Sequence, residues 1–471
     1  MTVAPRQHRP PRRGPSAAHL LLLVLSVLLV AATGLFQPSE AAANVSAEID
    51  AILAKRGIAA SNAGVFIWDI DAARQVSALN STTPLAPASN MKLVTTAAAL
   101  TSWGAEHRFT TWLYIGGDSI IEGVLAGDLY LRGGGDPSLS TRSYQRDELG
   151  LKTASFETFA RGLRALGVHT VSGRVRGDER WFDKERRVSV WEPGFEEWCG
   201  PLSALSGNEG LHNGDPVDAP ATYSAELLTK ALRNAGIKIK GEPRTGKVPA
   251  GALLVQRQSS APLRVLLKRQ NKESDNLFAE TLLKGLGKDF RNLGATDAGV
   301  LVSSATLATM DIAADSYVIQ DGSGLSYGDR LTPYAIVRLL GAMYQRPDFG
   351  VFYDSLAIAG KDGTLESRMR ETAAAGNARA KTGTLNIATG LSGYVRSAND
   401  HLVAFSILVV GDPVDAERAN GAQDEIVVAL AEARLTGKQI RRVSPTLRQQ
   451  LASSVSPVHT VGRALQPCVQ P

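Results

Sequence analysis

Cysteine is almost absent from this chain: Cys199 and Cys468 are the two in 471 residues. Two thiolates cannot complete a four-ligand zinc cage, and the seven histidines include no HExxH spacing. An internal repeat of fixed period is missing as well, which excludes solenoids and propellers. The 45 glycines carry no period either, so a collagen-like chain is excluded. Excess charge of one sign is missing from the body. The whole chain is +5, but Arg6, Arg9, Arg12 and Arg13 stand at the N-terminus. Arg434, Lys438, Arg441, Arg442, Arg448 and Arg463 follow Ala433, where no acidic residue occurs. The body between these ends is net acidic, a poor match for nucleic acid.

What is present begins with one long apolar run, Ala17 to Phe36. It follows the four N-terminal arginines and precedes Ala41-Ala42-Ala43. A basic start, an apolar core and small residues are the parts of an export signal, expected over 1–43. The run also approaches the roughly 20 residues that span a bilayer, so an uncleaved anchor is the alternative. Either way the body is expected outside the cytoplasm: secreted, periplasmic or wall-associated. In that setting an even cysteine count permits a Cys199–Cys468 disulfide. The basic stretch 438–471 reads as a solvated, flexible tail, with peripheral contact to a membrane or wall polymer as the alternative.

A chain of this length suits two or three domains. Ala63 to Ile70 reads as a strand with Gln75 to Leu79 as its hairpin partner, and Met91 to Leu100 as a helix. From about His107 to Pro220 short alternating segments dominate, including a strand around Val171 to Asp178 and a helix near Phe156 to Leu166. Helical spacing returns at Ala225 to Ala235 and at Leu263 to Leu286. Strands follow at Leu391 to Val395 and Leu402 to Val410, then a helix at Glu425 to Leu435. Strands at both ends enclosing helices predict an α+β fold with one antiparallel sheet flanked by helices. The expected organisation is a first catalytic part over 44–107, a mostly β insert over 108–220, and a second catalytic part over 221–437.

Three short motifs carry the chemistry: Ser89-Asn90-Met91-Lys92, Ser274-Asp275-Asn276 and Lys381-Thr382-Gly383. Each triplet alone is weak; together and in this order they mark serine β-lactamases and penicillin-binding proteins. A serine hydroxyl needs a base to become a nucleophile. Lys92, three positions on, rises beside Ser89 on one helix face. Its small and apolar neighbours Leu93, Val94, Ala97 and Ala98 desolvate the amine and lower its pKa. Ser274 can relay a proton to a leaving amine, and the Asn276 amide can hold a substrate carbonyl. Asp275 reads as structural, because the triplet also suits a helix N-cap. Lys381 and Thr382 on a strand edge suit a terminal carboxylate, and Gly383 lets a substrate backbone approach. The backbone N–H groups of Ser89 and Thr384 would form an oxyanion hole.

The sequence resembles the D-alanyl-D-alanine carboxypeptidase/endopeptidase family of low-molecular-mass class C penicillin-binding proteins (peptidase family S13). Carrying the likeness are Pro87 to Leu93, Gly127 to Leu131 with the following glycines and Asp136-Pro137, and Pro201 to Ser206. Asp321-Gly322-Ser323-Gly324-Leu325-Ser326, Lys361 to Leu365 and Ala380 to Leu385 complete it. The resemblance implies the serine β-lactamase/DD-peptidase (transpeptidase-like) fold, split by an insert between the first and second motifs. It implies hydrolysis of peptidoglycan stem peptides ending in D-Ala-D-Ala through a Ser89 acyl-enzyme. No metal or organic cofactor is required, and β-lactams are expected as covalent inhibitors.

A serine β-lactamase-like hydrolase is a second reading, but no residue suggests itself as a dedicated deacylation base. An inactive wall-binding scaffold is a third; intact Ser89, Lys92, Ser274, Asn276 and Lys381 argue against it. Gly324-Leu325-Ser326-Tyr327-Gly328 fits a nucleophile elbow, yet that pattern needs a helix directly after the serine. Gly328, Asp329 and Pro333 read as loop instead.

Overall fold

The computed structural model describes residues 40–116 and 120–436. Most of the expected export signal, the tail 438–471 and Cys468 lie outside the described residues. The described residues open with helix α1 (Glu40–Lys55), which turns Ile49, Ile52 and Leu53 inward. Strands β1 (Ala63–Asp69) and β2 (Arg74–Leu79) form the expected hairpin. A short 3₁₀ turn, Ala88–Asn90, runs straight into α2 (Met91–Trp103). Every residue of α2 from Met91 to Leu100 is buried, so the helix carrying the first motif passes through the core rather than along its surface.

The insert follows with β3 (Thr110–Ile115), β4 (Ile120–Ile121), β5 (Val124–Leu125), β6 (Leu129–Arg132) and α3 (Phe156–Ala165). It continues with β7 (Thr170–Val171), β8 (Val175–Asp178), α4 (Pro220–Asn234), β9 (Lys238–Ile239), β10 (Arg244–Thr245) and β11 (Leu253–Ser259). Its strands form a four-stranded sheet, β9-β7-β5-β4, and a five-stranded sheet, β10-β8-β6-β3-β11. Leu125 and Val171 from the first sheet and Leu113, Leu131 and Val175 from the second join Phe156, Phe159, Leu228 and Leu232 in one core. Two expectations are corrected here. The segment Val171 to Asp178 is two strands in different sheets, because it crosses from one to the other. The insert does not end near 220 but at 259: β11 pairs antiparallel with β3, Gln258 opposite Thr111, and α4 fills the insert's core.

The second catalytic part holds α5 (Leu263–Lys272), α6 (Asn276–Arg291), α7 (Thr296–Thr309) and α8 (Pro333–Gln345). Strands β12 (Ala357–Ile358), β13 (Arg379–Leu385), β14 (Ala388–Arg396) and β15 (Leu402–Val410) and helix α9 (Ala416–Glu432) complete it. The helical pattern over Leu263 to Leu286 is thus two helices, broken at Glu273 to Asp275. The main sheet runs β12-β13-β14-β15-β1-β2 with every neighbour antiparallel. The apolar run of β15 has no polar alternation because both sheet faces are covered. Phe405 and Ile407 join Val65, Ile67 and Leu391 beneath α1 and α9, while Ala404 and Leu408 join Phe66 and Tyr394 beneath α2 and α8. Among the described residues no helix is long and apolar enough to cross a membrane.

Candidate active site

Three elements meet at Ser89: the turn ahead of α2, the break between α5 and α6, and β13. The turn is tightly pinned. Ala88 is buried with φ 46, in the left-handed region, which a non-glycine residue adopts only where its surroundings enforce it. Asn90 is fully buried, and its Nδ2 donates to the Pro87 carbonyl at 3.2 Å. Gly383 stands opposite Gly390 on the paired strands β13 and β14. A Cβ at Gly383 would come within 2.9 Å of Asn90 Nδ2, Pro87 O and Ser89 N, and one at Gly390 within 2.4 Å of Asn90 Nδ2. The bare backbone at Gly383, expected to admit substrate, therefore admits the Ser89 turn itself and sets the strand beside Ser89 N–H.

Lys92 is fully buried, with Nζ 2.9 Å from Ser89 Oγ, 2.6 Å from Asn276 Oδ1 and 2.7 Å from the Ser323 carbonyl. The last two partners are acceptors and can take only N–H bonds. A neutral amine that donates to both leaves its lone pair facing the Ser89 hydroxyl. Burial lowers the Lys92 pKa to about 8, with Asp321, Glu280 and Asp275 opposing that shift. The geometry is that of an amine ready to take the serine proton near neutral pH.

The break before α6 explains the second motif. Asp275 caps α6, its Oδ1 accepting from Phe278 N at 3.1 Å, and Arg269 Nε donates to its Oδ2 at 3.1 Å. Ser274 holds φ 59, a conformation costing of order 1–3 kcal/mol. The strained turn sends the flanking side chains to different lysines. Ser274 Oγ lies 2.9 Å from Lys381 Nζ, while Asn276 reaches Lys92. Asn276 Nδ2 also donates to the Trp198 carbonyl at 2.7 Å, which fixes the amide orientation and leaves its second N–H for a ligand.

Lys381 is fully buried on β13 and also donates to the Thr382 carbonyl at 2.9 Å. Burial and the nearby Lys92 push its pKa well below the usual lysine value, so an anion arriving here would restore its charge. Thr382 Oγ1 meets Thr364 Oγ1 at 2.7 Å. Thr384, on the same strand, is exposed at the open side.

Glu280 and Trp191 were not singled out from sequence, nor were the partners of Asp321. Glu280 is fully buried and accepts from Gly322 N and Ser323 N, which holds the Ser323 carbonyl against Lys92. Burial and Asp321 push the Glu280 carboxyl up to about 8. Asp321 accepts from Gly324 N, Ser326 N and Trp191 Nε1. The stretch between β8 and α4 thus walls the site: Trp191, Phe195 and Cys199 pack with Leu277, Leu325 and Leu385. Cys199 is buried there, and burial raises its thiol pKa well above the usual value; its expected partner Cys468 is outside the described residues. The elbow-like Ser326 is buried, hydrogen-bonds Gln320 and is followed by the bridge Arg330–Leu331 rather than a helix.

The D-Ala-D-Ala carboxypeptidase 3 (S13) family model matches residues 45–204 and 204–433. A D-alanyl-D-alanine carboxypeptidase from Actinomadura sp. (strain R39) is 31% identical, across 82% of this chain and 84% of its own. Carboxypeptidase DacB of Mycolicibacterium smegmatis is 27% identical, across 73% of this chain and 75% of its own. Penicillin binding protein 4 (dacB) from Haemophilus influenzae superposes with a TM-score of 0.69 at 22% identity, covering 80% of this chain and 97% of that one. That last likeness carries the α+β serine β-lactamase/DD-peptidase fold. A family match over nearly the whole described chain, together with that curated relative, leads to one conclusion: the protein belongs to the D-Ala-D-Ala carboxypeptidase 3 (S13) family.

Proposed function

We propose that this protein hydrolyses D-alanyl-D-alanine bonds of peptidoglycan stem peptides or cross-links through an acyl-enzyme on Ser89. The single observation that supports this most is the Lys92 amine, 2.9 Å from Ser89 Oγ with its other contacts taken by two carbonyl acceptors. In this reading Lys92 takes the Ser89 proton as Oγ attacks the penultimate D-alanine carbonyl. The Ser89 and Thr384 N–H groups stabilise the oxyanion. The C–N bond then breaks, and the proton passes from Lys92 to the leaving amine of D-alanine or of a cross-linked chain, with Ser274, which rests on Lys381 in the free chain, turning to relay it. Water next attacks the ester, with Lys92 again taking a proton, and Ser89 recovers its hydrogen as the shortened peptide leaves. Lys381, Thr382 and the Gly383 segment bind the terminal carboxylate, and the free N–H of Asn276 holds a peptide carbonyl. The proposed substrate is a wall polymer, which places the folded body outside the cytoplasm.

Labelling with fluorescent penicillin tests this, comparing wild type with Ser89→Ala. The expected result is a persistent adduct lost in the variant. Rapid turnover without an adduct would indicate a β-lactamase, and no Ser89-dependent labelling a wall-binding scaffold. Digestion of defined muropeptides, read by mass, separates loss of terminal D-alanine from cross-link cleavage.

A further inference from the structure

The insert touches the second motif through a carboxyl group. Glu209 lies in the turn Gly207–Gly210, where Asn208 and Glu209 both hold left-handed backbone, φ 52 and 58. Its side chain is nearly buried, and Tyr144 Oη donates to Oε2 at 2.6 Å. The same carboxyl is hydrogen-bonded to Asp275, and Arg269 Nη2 stands 4.0 Å from Oε2. Asp275 is therefore fixed on three sides: by the Phe278 N–H at the head of α6, by Arg269 Nε, and by Glu209. It sits between Ser274, which reaches Lys381, and Asn276, which reaches Lys92. Two carboxyl groups in hydrogen-bond contact need a proton between them, because an ionised oxygen cannot donate. Two consecutive non-glycine residues in left-handed backbone show how firmly the surroundings dictate this placement.

We propose that Glu209 is a positioning residue: as a neutral acid it donates to Asp275 and so holds the Ser274–Asn276 turn in its working shape. This rests on the reading of Ser89 as the acylated nucleophile. The groups facing Glu209 are Tyr144 from the insert, Arg269 from α5 and Asp275 at the head of α6, with Glu273 acting on Arg269. One cation thus serves two acids. Burial first, and Asp275 second, push the Glu209 carboxyl up to about 9. The acid is then neutral at neutral pH and loses its proton as pH rises through about 9. Above that point a second negative charge faces Asp275, and the turn that aims Ser274 and Asn276 is pushed apart.

The test is stopped-flow acylation of the full chain by a penicillin, from neutral to strongly alkaline pH, for wild type, Glu209→Gln and Glu209→Ala. Glu209→Gln keeps a neutral donor and is expected within about threefold of wild type near neutrality. Glu209→Ala is expected to be slower by about tenfold or more. Wild type should lose rate as Glu209 ionises, a loss absent from Glu209→Gln. All three chains retain Lys92 and Lys381, so the difference reports on Glu209. Circular dichroism checks the fold; should Glu209→Ala fail to fold, the alkaline limbs of the other two decide. Superimposable alkaline limbs in wild type and Glu209→Gln overturn the proposal while leaving Ser89 acylation intact. A wild-type chain not acylated at Ser89 overturns the functional reading and this proposal together.

Discussion

Gly324 lies directly against Ala88: a Cβ on Gly324 would stand 1.9 Å from the Ala88 carbonyl oxygen, and its φ of 83° is left-handed as well. The residue before Ser89 thus rests on a glycine from the loop that also supplies the Ser323 carbonyl to Lys92. Gly324→Ala is expected to destabilise the protein by about 2–4 kcal/mol through overpacking and backbone strain. The obstacle is backbone, so the Ser89 turn must shift. Thermal melts and acylation kinetics check this together; a variant with unchanged melting and rate would contradict the contact.

Lys92→Ala is expected to slow acylation by about 10²–10⁴-fold, the usual worth of a positioned base. Reversible affinity for a D-Ala-D-Ala peptide should change little, since Lys92 lies beneath Ser89 rather than beside the carboxylate site. In wild type the acylation rate should rise with pH through about 8 as Lys92 loses its proton. Below that value it should fall about tenfold per pH unit. A flat profile across this range in stopped flow would remove Lys92 as base.

Ser274→Ala removes the hydroxyl that contacts Lys381, not one bonded to Lys92. The expected outcome is a fall of about 10²-fold in acylation of peptide substrate. The pH midpoint set by Lys92 should stay near 8. A displaced midpoint would show that Ser274 acts through Lys92.

Lys284 is buried on α6, with Nζ 2.6 Å from Asp183 Oδ1 and 3.6 Å from Glu185 Oε2. Those acids begin the segment that carries Trp191 and Trp198 to the site. Lys284→Ala should cost about 2 kcal/mol: a buried partner is lost, but the acids are partly hydrated and recover some solvation. The stretch between β8 and α4 should also loosen, slowing acylation. Denaturant titration and acylation measured side by side would expose a decorative contact, as neither would change.

Much of the site was legible because its chemistry is local. Ser89 and Lys92 share one helical face by spacing alone, and Asp275 announces a helix start by being a good N-cap. The hairpin of β1 and β2 and the strand β15 were equally readable, from period-two patterning and from an unbroken apolar run. The break between α5 and α6 was only half readable. Lys268 to Asn276 are nine polar residues with no apolar period, so the cap at Asp275 marks where α6 begins while nothing marks where α5 stops; the left-handed turn at Ser274 decides that. The end of the insert was equally hidden, because β10 and β11 are defined by pairing with β8 and β3, far earlier in the chain.

By itself the sequence pointed to Ser89 and Lys92 as nucleophile and base and determined the order of the motifs and the α+β class, since each depends on side-chain identity at short spacing. Tertiary structure decided the rest of the environment. The Ser323 and Trp198 carbonyls that orient Lys92 and Asn276 are backbone atoms, which carry no residue signature. Glu280, Glu209 and Trp191 are ordinary residues until folding buries them against the motifs. The firmest feature of the sequence, Ser89, thus owes much of its setting to atoms outside the three catalytic motifs.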